Sequence, residues 1–280
     1  MKTGKNIYDL QETALAAIDD LPLWSAPFGL RLLDVVQMRH RIRLLDIGSG
    51  LGFPLLELAQ RLGSSCECHG IDPWKAANER ARQKIAVWDL PNLKIHDGKA
   101  ETLPFPDAHF DLITSNNGTN NVDDEVKVYR EIKRVARPEA QIVLTMNLPG
   151  TMVEFYTVFK KVLSERGLRT ELEAVDKHIC DKRKSLSQIR ALVESAGLTL
   201  NRVYKETFFL RYTDGTSMLS SRLIRMAFWQ GWINALEPPD VEAIFGEVER
   251  ELNRLAMQAG ELRLTVPWVC LDIRNSLVDK

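Results

Sequence analysis

Short apolar runs alternate with amphipathic stretches through the middle of the chain, which is the pattern of a parallel sheet covered by helices. The apolar runs at 43–47, 66–71, 93–96, 110–115 and 141–147 predict five strands. Apolar residues at helical spacing predict helices at 55–62, 74–88, 122–136, 152–166 and 186–196. A sixth strand is predicted at 198–210.

The last part of the chain has a different pattern. Residues 218–236 and 241–259 predict two helices separated by Pro238-Pro239, and alternation from Leu262 predicts a last strand. We expect the helical segment to form a lid that shapes a binding site, because a parallel strand ends at the edge of the sheet where ligands bind. A structural hairpin packed on the outer helices is the alternative.

Composition narrows the class of protein and its partners. The 280 residues are 45% hydrophobic and 27% charged, which is ordinary globular usage. The net charge of −1 disfavours nucleic acid as a partner, since proteins that bind phosphate backbones are usually basic. Four cysteines are too few for a disulfide scaffold. Neither a signal peptide nor a membrane span is predicted, so we expect a soluble cytoplasmic protein with no membrane partner.

The strongest chemical signal is a glycine-rich turn after the first strand, with the sequence Asp46-Ile47-Gly48-Ser49-Gly50-Leu51-Gly52. Glycines let the backbone adopt positive φ and pass close to a ligand, and the following helix offers free N–H groups to an anion. The dinucleotide fingerprint G-x-G-x-x-G requires glycine at position 53, where this chain has Phe53. The spacing therefore argues against a dehydrogenase that binds NAD.

The pattern Asp46-x-Gly48-x-Gly50-x-Gly52 resembles the first motif of class I S-adenosylmethionine (SAM) dependent methyltransferases, with a type 11-like domain. Gly70-Ile71-Asp72 supplies the family's acid at the end of the second strand. The segment 98–113 is similar to the family stretch G-D-A-E-x-L-P-F-x-D-x-x-F-D, and 131–138 matches its helix before the fifth strand. The resemblance covers roughly residues 40–210.

The resemblance implies an α/β fold with a doubly wound, seven-stranded, mostly parallel Rossmann-like sheet and a helical insertion before the last strand. SAM would bind at the carboxyl ends of the strands. The implied division is an N-terminal helical arm over the cofactor site (1–40), a SAM-binding core (41–212), a helical lid (213–260), and the last strand with the tail (261–280).

The family roles transfer to individual positions of this chain. The methionine end would be lined by Gly48, Ser49, Gly50 and Gly52, with Asp46 holding the ammonium group or ordering the loop. The carboxylate of Asp72 would accept both ribose hydroxyls. The remaining implied cofactor residues are Pro73 or Trp74 on the adenine face, Ala100 and Glu101 at the adenine edge, and Asn116 beside the sulfonium. Lys99 stands where many relatives have an Asp, and its donors cannot copy that acceptor.

The expected reaction is methyl transfer to the O, N, S or C atom of a small-molecule acceptor, without an identified catalytic base. Asn116-Asn117-Gly118 lacks the D/N-P-P-Y/F/W motif of enzymes that methylate DNA amino groups. An RNA or protein methyltransferase and a non-catalytic SAM-binding regulatory module remain alternatives. Core or helix packing is the alternative role for the aromatic members of the proposed acceptor pocket. The candidate pocket residues are Tyr8, Trp24, Asn117, Asn120, His178, Phe228, Trp229 and Trp232.

Two further clusters favour structural roles. Cys66-x-Cys68-His69 suggests a metal site, but the sequence offers no second ligand pair, so buried thiols without a metal are expected. The charged run Asp181-Lys182-Arg183-Lys184 is interpreted as a solvated loop and not as an RNA-binding patch.

Overall fold

A computed structural model describes residues 24–236 and 241–276. Within these residues, seven strands form one mixed, mostly parallel sheet in the order β3-β2-β1-β4-β5-β7-β6. This confirms the predicted α/β class and Rossmann-like sheet. The strands are β1 (Arg43–Ile47), β2 (Glu67–Asp72), β3 (Leu93–Asp97), β4 (Phe110–Asn116), β5 (Ala136–Asn147), β6 (Thr199–Tyr212) and β7 (Leu262–Arg274).

Helices separate the strands along the chain. The helices up to β6 are α1 (Ala26–Val35), α2 (Leu55–Leu62), α3 (Lys75–Val87), α4 (Glu125–Val135), α5 (Val153–Glu165), α6 (Arg169–Lys182) and α7 (Leu186–Ser195). Between β6 and β7 the described residues form α8 (Gly215–Ser220), α9 (Arg222–Ala227), α10 (Trp229–Ile233) and α11 (Val241–Ala259). A short 3₁₀ helix, Gly118–Asn121, follows β4.

The register of the parallel strands determines which residues lie beside Asp46, just before the glycine turn. Strand β1 pairs in parallel with both β2 and β4, and Asp46 lies opposite Gly70 on one side and Thr114 on the other. Strand order reverses at β1 and β4, because the chain builds outward to β3 and then returns to β4. A ligand site at such a switch point lies beyond the carboxyl ends of the strands.

The described residues group into two compact units. One unit comprises 24–146, 185–205 and 268–276, and the other comprises 147–184, 206–236 and 241–267. Segment 147–184, which the sequence analysis assigned to the SAM-binding core, groups with the segment predicted as a lid. The covering roles of the N-terminal arm and the lid stay predictions.

The segment between β6 and β7 packs on helix α5. The apolar side of α11 is buried at Ile244, Phe245 and Val248, and the ring of Phe245 lies 5.4 Å from that of Phe159 in α5. The lid that shapes an acceptor pocket and the structural hairpin both stay predictions for this segment.

Two local expectations are wrong, and one helix was not predicted. The single helix predicted at 218–236 is broken into α8, α9 and α10, because Ser221 has an extended backbone with ψ 135° and Phe228 leaves helical geometry. The run beginning at Asp181 is not a solvated loop, since its first two residues end α6 and Arg183 is buried. Helix α6 itself was not predicted. The predicted break at Pro238-Pro239 lies outside the described residues.

Candidate active site

The turn after β1 has the backbone that the glycine motif predicts. Gly48, Gly50 and Gly52 have φ values of +74°, +49° and +100°. A Cβ atom added to Gly50 would meet no atom within 4 Å, so this part of the turn faces open space. The Ser49 hydroxyl is buried and has no hydrogen-bond partner among the described residues. The turn therefore offers an open cradle with an unused polar group.

The carboxylate of Asp72 is fixed by two backbone amides at the end of β2. Its Oδ2 accepts a hydrogen bond from Gly50 N at 2.9 Å, and its Oδ1 accepts one from Trp74 N at 2.8 Å. Burial raises the pKa of Asp72, while these two N–H groups act against that increase. Each carboxylate oxygen keeps lone-pair capacity for another donor. Beside it, Pro73 is exposed and Trp74 is half-buried.

Asp46 is almost fully buried, with 1% of its surface exposed. Its Oδ1 accepts a hydrogen bond from the Thr114 hydroxyl at 2.6 Å, as the register between β1 and β4 allows. Burial raises the pKa of Asp46 to about 7, the Thr114 hydrogen bond lowers it, and the nearby Asp72 raises it. A cation bound near Asp46 would favour the ionised carboxylate.

The carboxyl ends of β4 and β5 form a second polar edge. The Thr145 hydroxyl donates to Asn116 Oδ1 at 2.8 Å and accepts from Asn117 N at 3.2 Å. Asn117 has a left-handed backbone with φ +59°, and its Oδ1 accepts from Asn120 Nδ2 at 3.0 Å. The predicted residues Asn116, Asn117 and Asn120 therefore belong to one hydrogen-bonded loop.

Helix α1 and the residue before it contact this edge. The Ser25 carbonyl oxygen accepts a hydrogen bond from Asn116 Nδ2 at 3.1 Å. A Cβ atom on Gly29 would lie 2.3 Å from the Phe53 ring, so α1 approaches the glycine turn closely. The Trp24 ring packs 5.5 Å from that of Phe28. Residue Tyr8 lies outside the described residues.

The loop after β3 has a structural task that the sequence analysis did not foresee. Lys99 Nζ lies 3.0 Å from the Asp123 carboxylate, and both side chains are exposed. Glu101 Oε1 accepts a hydrogen bond from Asp123 N at 2.8 Å. The two side chains thus tie their loop to the one before α4, while Ala100 between them is buried. Their contribution to adenine recognition stays a prediction.

Asn78 is a site residue that the sequence analysis missed. It is fully buried in α3, and its Nδ2 donates to the Asp72 carbonyl oxygen at 2.8 Å and to Asp97 Oδ1 at 2.7 Å. It joins the ends of β2 and β3 and so steadies the segment that carries the Asp72 carboxylate. A polar residue on the buried face of the helix that follows Asp72 was the signal available in the sequence.

Four other acceptor-pocket candidates lie together in the unit that contains 147–184. The ring of Trp232 stacks on Phe155 with centroids 3.9 Å apart, and Phe228 lies 6.1 Å from Trp232. Trp229 packs against Phe245 at 4.4 Å. His178 in α6 is half-buried against α10. Core packing accounts for the burial of both tryptophans, and their role as a pocket wall stays a prediction.

The cysteine and histidine side chains at the start of β2 are buried in the protein interior. Cys66 and Cys68 are buried free thiols, and burial raises the pKa of Cys68 to about 12, which disfavours the thiolate that a metal requires. The His69 and His96 rings share a hydrogen bond of 2.9 Å. Across residues 24–236 and 241–276, no group of three His, Cys, Asp or Glu side chains is arranged to hold a metal ion.

The arrangement at the strand ends fits the groups that SAM presents. Asp46 is a buried acceptor for an ammonium group, Asp72 is an oriented acceptor for paired hydroxyls, and the open glycine turn can pass under the methionine portion. The unpartnered Ser49 hydroxyl is a buried donor in the same turn. Buried polar groups are normally hydrogen-bonded, so an unsatisfied hydroxyl in an open turn favours a polar ligand there.

Comparison with known proteins agrees with this geometry. Residues 45–144 match the family model described as a methyltransferase domain. The strand order and the glycine turn agree with this match. Residues 45–144 therefore resemble a SAM-dependent methyltransferase domain.

Individual relatives have related names. The chain is 32% identical over 117 residues to a demethylmenaquinone methyltransferase of Geobacillus sp. (strain WCH70), covering 42% of this chain and 50% of that protein. It is 27% identical over 181 residues to the uncharacterized methyltransferase YcgJ of Bacillus subtilis (strain 168), covering 65% and 66%. The chain thus spans about half the length of the first of these curated relatives.

Solved structures share the fold. The crystal structure of YcgJ from Bacillus subtilis superposes with a TM-score of 0.61 and 22% identity, covering 90% of this chain and 99% of that one. Geranyl diphosphate methyltransferase in complex with SAM superposes with a TM-score of 0.55 and 14% identity, covering 93% and 88%. At these identities the likeness concerns the fold.

Proposed function

We propose that this protein binds SAM and transfers its methyl group to a small-molecule acceptor. The observation that carries the proposal is the bond from Gly50 N to Asp72 Oδ2 at 2.9 Å, which joins the open glycine turn to the oriented carboxylate. Together they supply a backbone cradle and a hydroxyl acceptor in one place. When bound, SAM supplies an electrophilic methyl group.

The residues of this chain would contribute binding and orientation. Asp46 would accept the ammonium group, Asp72 the ribose hydroxyls, and Asn116 would lie beside the sulfonium at the end of β4. Holding two reactants in line and excluding water can supply a large part of a rate enhancement. The proposal therefore requires no general base.

A small-molecule acceptor is favoured by two considerations. The similar demethylmenaquinone methyltransferase carries a small-molecule acceptor in its name. The net charge of −1 offers no general attraction for nucleic acid. We also propose a cytoplasmic location, where the thiols of Cys66, Cys68, Cys180 and Cys270 would stay reduced. Within the described ranges, no helix is long and apolar enough to span a membrane.

A methyl-transfer screen tests the proposal. The protein is incubated with methyl-labelled SAM and a metabolite extract, and label is measured separately in the small-molecule, RNA and protein fractions. We expect label in small molecules with the wild-type protein and little with Asp72→Ala. Label confined to RNA or protein would contradict the proposed acceptor class. Measured SAM binding without any transfer would contradict the proposed reaction.

A further inference from the structure

The side chain of Arg183 is buried just after α6 with most of its hydrogen-bond donors unused. Only 5% of the residue is exposed. Its Nη2 donates to the Tyr156 hydroxyl at 3.2 Å, and its guanidinium lies 4.9 Å from the centre of the Tyr156 ring. Nε and Nη1 are buried and have no hydrogen-bond partner in the part of the chain that the structure describes. These two nitrogens carry three of the five guanidinium N–H donors.

The charge of Arg183 also lacks a neighbouring carboxylate. In the described ranges it forms no ion pair, and the nearby acid Asp181 is instead held by Lys177. Lys182 and Lys184 add positive charge at this helix end. Burial lowers the pKa of His178, the positive charges of Arg183 and Lys182 lower it further, and Asp181 raises it. The neutral imidazole therefore adds no compensating charge to the cluster.

Tyr156 connects the guanidinium to the aromatic part of the same unit. Its hydroxyl oxygen accepts from Arg183 Nη2 and also from Trp232 Nε1 at 3.0 Å. With both acceptor positions used, the hydroxyl hydrogen is available as a further donor, and none of the described residues accepts it. Trp232 in turn stacks on Phe155. Cationic and neutral donors therefore adjoin an apolar aromatic surface.

His178 in α6 makes a close contact with α10. A Cβ atom on Gly231 would lie 2.8 Å from His178 Cε1, so the glycine in α10 makes room for the imidazole ring. The contact brings α10, which carries Trp232, against the last turns of α6, which precede Arg183. These side chains and Tyr156 belong to one unit.

A buried guanidinium without a counter-charge is unfavourable, because burial removes its hydration. The Tyr156 ring compensates for part of that loss through a cation–π contact, but it leaves the unused N–H groups unsatisfied. A ligand oxyanion would satisfy both the charge and the donors, and a planar guanidinium matches carboxylate and phosphate oxygens in bidentate geometry.

We propose that Arg183 and Tyr156 bind an oxyanion, a carboxylate or a phosphate, on a ligand with an apolar body. The half-buried ring of Phe228 would contact that body, while the guanidinium selects the charged end. The donors that form this site lie in the unit that contains residues 147–184.

Binding of simple probes tests the proposal. Benzoate and phenyl phosphate are titrated into the wild-type protein by calorimetry, with neutral benzamide as the matched probe that lacks the charge. We expect at least one anion to bind and benzamide to bind far more weakly. Binding of benzoate alone indicates that the site binds a carboxylate, and binding of phenyl phosphate alone indicates that it binds a phosphate.

Variants then locate the bound anion. Arg183→Met is expected to weaken anion binding by at least about tenfold. Lys182→Met removes a neighbouring exposed positive charge and is expected to leave the affinity within about twofold. Arg183→Lys keeps the charge but loses the planar fork, so intermediate affinity is expected. It carries the same test if Arg183→Met does not fold.

Several outcomes would overturn the proposal: no anion binding by the wild type, equal binding by Arg183→Met, or benzamide binding as tightly as benzoate. Binding of S-adenosylhomocysteine is measured in parallel for every variant. Intact cofactor binding with no anion binding would refute the Arg183 site alone. Anion binding at Arg183 with no cofactor binding and no methyl transfer would refute the proposed function and leave an oxyanion site.

Discussion

Asp72 is held in position by the protein before any ligand binds, since both of its carboxylate oxygens accept backbone amides. Asp72 and the glycines could be predicted from the sequence, because their identities and spacing are local features of the chain. The partners Thr114, Asn78 and Thr145 were not predictable. Their contacts depend on strand register and on helix docking between residues far apart in sequence.

Removing the Asp72 carboxylate should weaken cofactor binding without unfolding the protein. Loss of a charged acceptor for hydroxyl groups costs about 1.5–3 kcal/mol, so Asp72→Ala should bind S-adenosylhomocysteine roughly 10- to 100-fold more weakly. Calorimetry measures the affinity, and circular dichroism checks the fold. Asp107→Ala is the control, because that carboxylate is 78% exposed and pairs with Arg134. Equal affinity of Asp72→Ala and wild type would show that the ribose is held elsewhere.

Asp46 should make the stability of the ligand-free protein depend on pH. Burial raises the pKa of its carboxyl from the ordinary 3.8 to about 7 in the folded protein, so folding favours the protonated form. The resulting loss in free energy of unfolding is absent at a pH below the pKa of the unfolded chain and grows as the pH rises toward 7. Above pH 7 it reaches on the order of 4 kcal/mol.

The matched variant Asp46→Asn cannot ionise, so comparison with it isolates this cost. Denaturant unfolding between pH 5 and pH 8 should show the stability of Asp46→Asn relative to wild type increasing up to pH 7 and then levelling off. SAM affinity of the wild type should increase over the same range, because a bound ammonium group favours the carboxylate. A difference in stability that is independent of pH would contradict a raised Asp46 pKa.

At the scale of elements, two turns meet back to back at the switch point of the sheet. A Cβ atom on Gly48 would lie 2.7 Å from the Cα atom of Gly118, after β4, and Gly48 also has φ +74°. Gly48 therefore has two reasons to be glycine, namely its backbone conformation and the close approach. The motif predicts the first reason, whereas only the fold reveals the second.

Comparison of two glycines separates these reasons. Gly63 has nearly the same φ, +72°, with ψ −179°, and a Cβ atom there would meet nothing within 4 Å. Gly63→Ala should therefore cost about 1–3 kcal/mol from backbone strain alone. Gly48→Ala should cost about 1–3 kcal/mol more, because the turn must shift, and it should weaken SAM binding. Denaturant unfolding measures both variants. Equal losses would mean that the contact with Gly118 is relaxed at little cost.

Element prediction succeeded where local signals were strong. Ser185 and Gln188 form a capping box at the start of α7, the spacing that marks a helix start in a sequence. Helix α6 was missed because its single buried residue, Val175, gives it no apolar stripe. The predicted helix at 218–236 breaks at Ser221 and Phe228, which no local signal marks.

At the scale of the whole molecule, residues 45–144 match a methyltransferase domain, and the sheet order and the glycine turn agree with that match. The sequence resemblance predicts this because the motif residues follow the strands in order. It does not identify the acceptor, because the motifs that carry the resemblance end at residue 138. The oxyanion site proposed at Arg183 lies in the part of the chain that follows them.

The central claim is that the glycine turn and Asp72 bind SAM and not a nicotinamide dinucleotide. Calorimetric titration of the purified wild-type protein with SAM, S-adenosylhomocysteine and NAD tests this most directly. We predict dissociation constants in the micromolar range for SAM and S-adenosylhomocysteine and no detectable heat with NAD, because Phe53 replaces the third glycine of the dinucleotide fingerprint. Tight binding of NAD together with no binding of SAM would contradict the account.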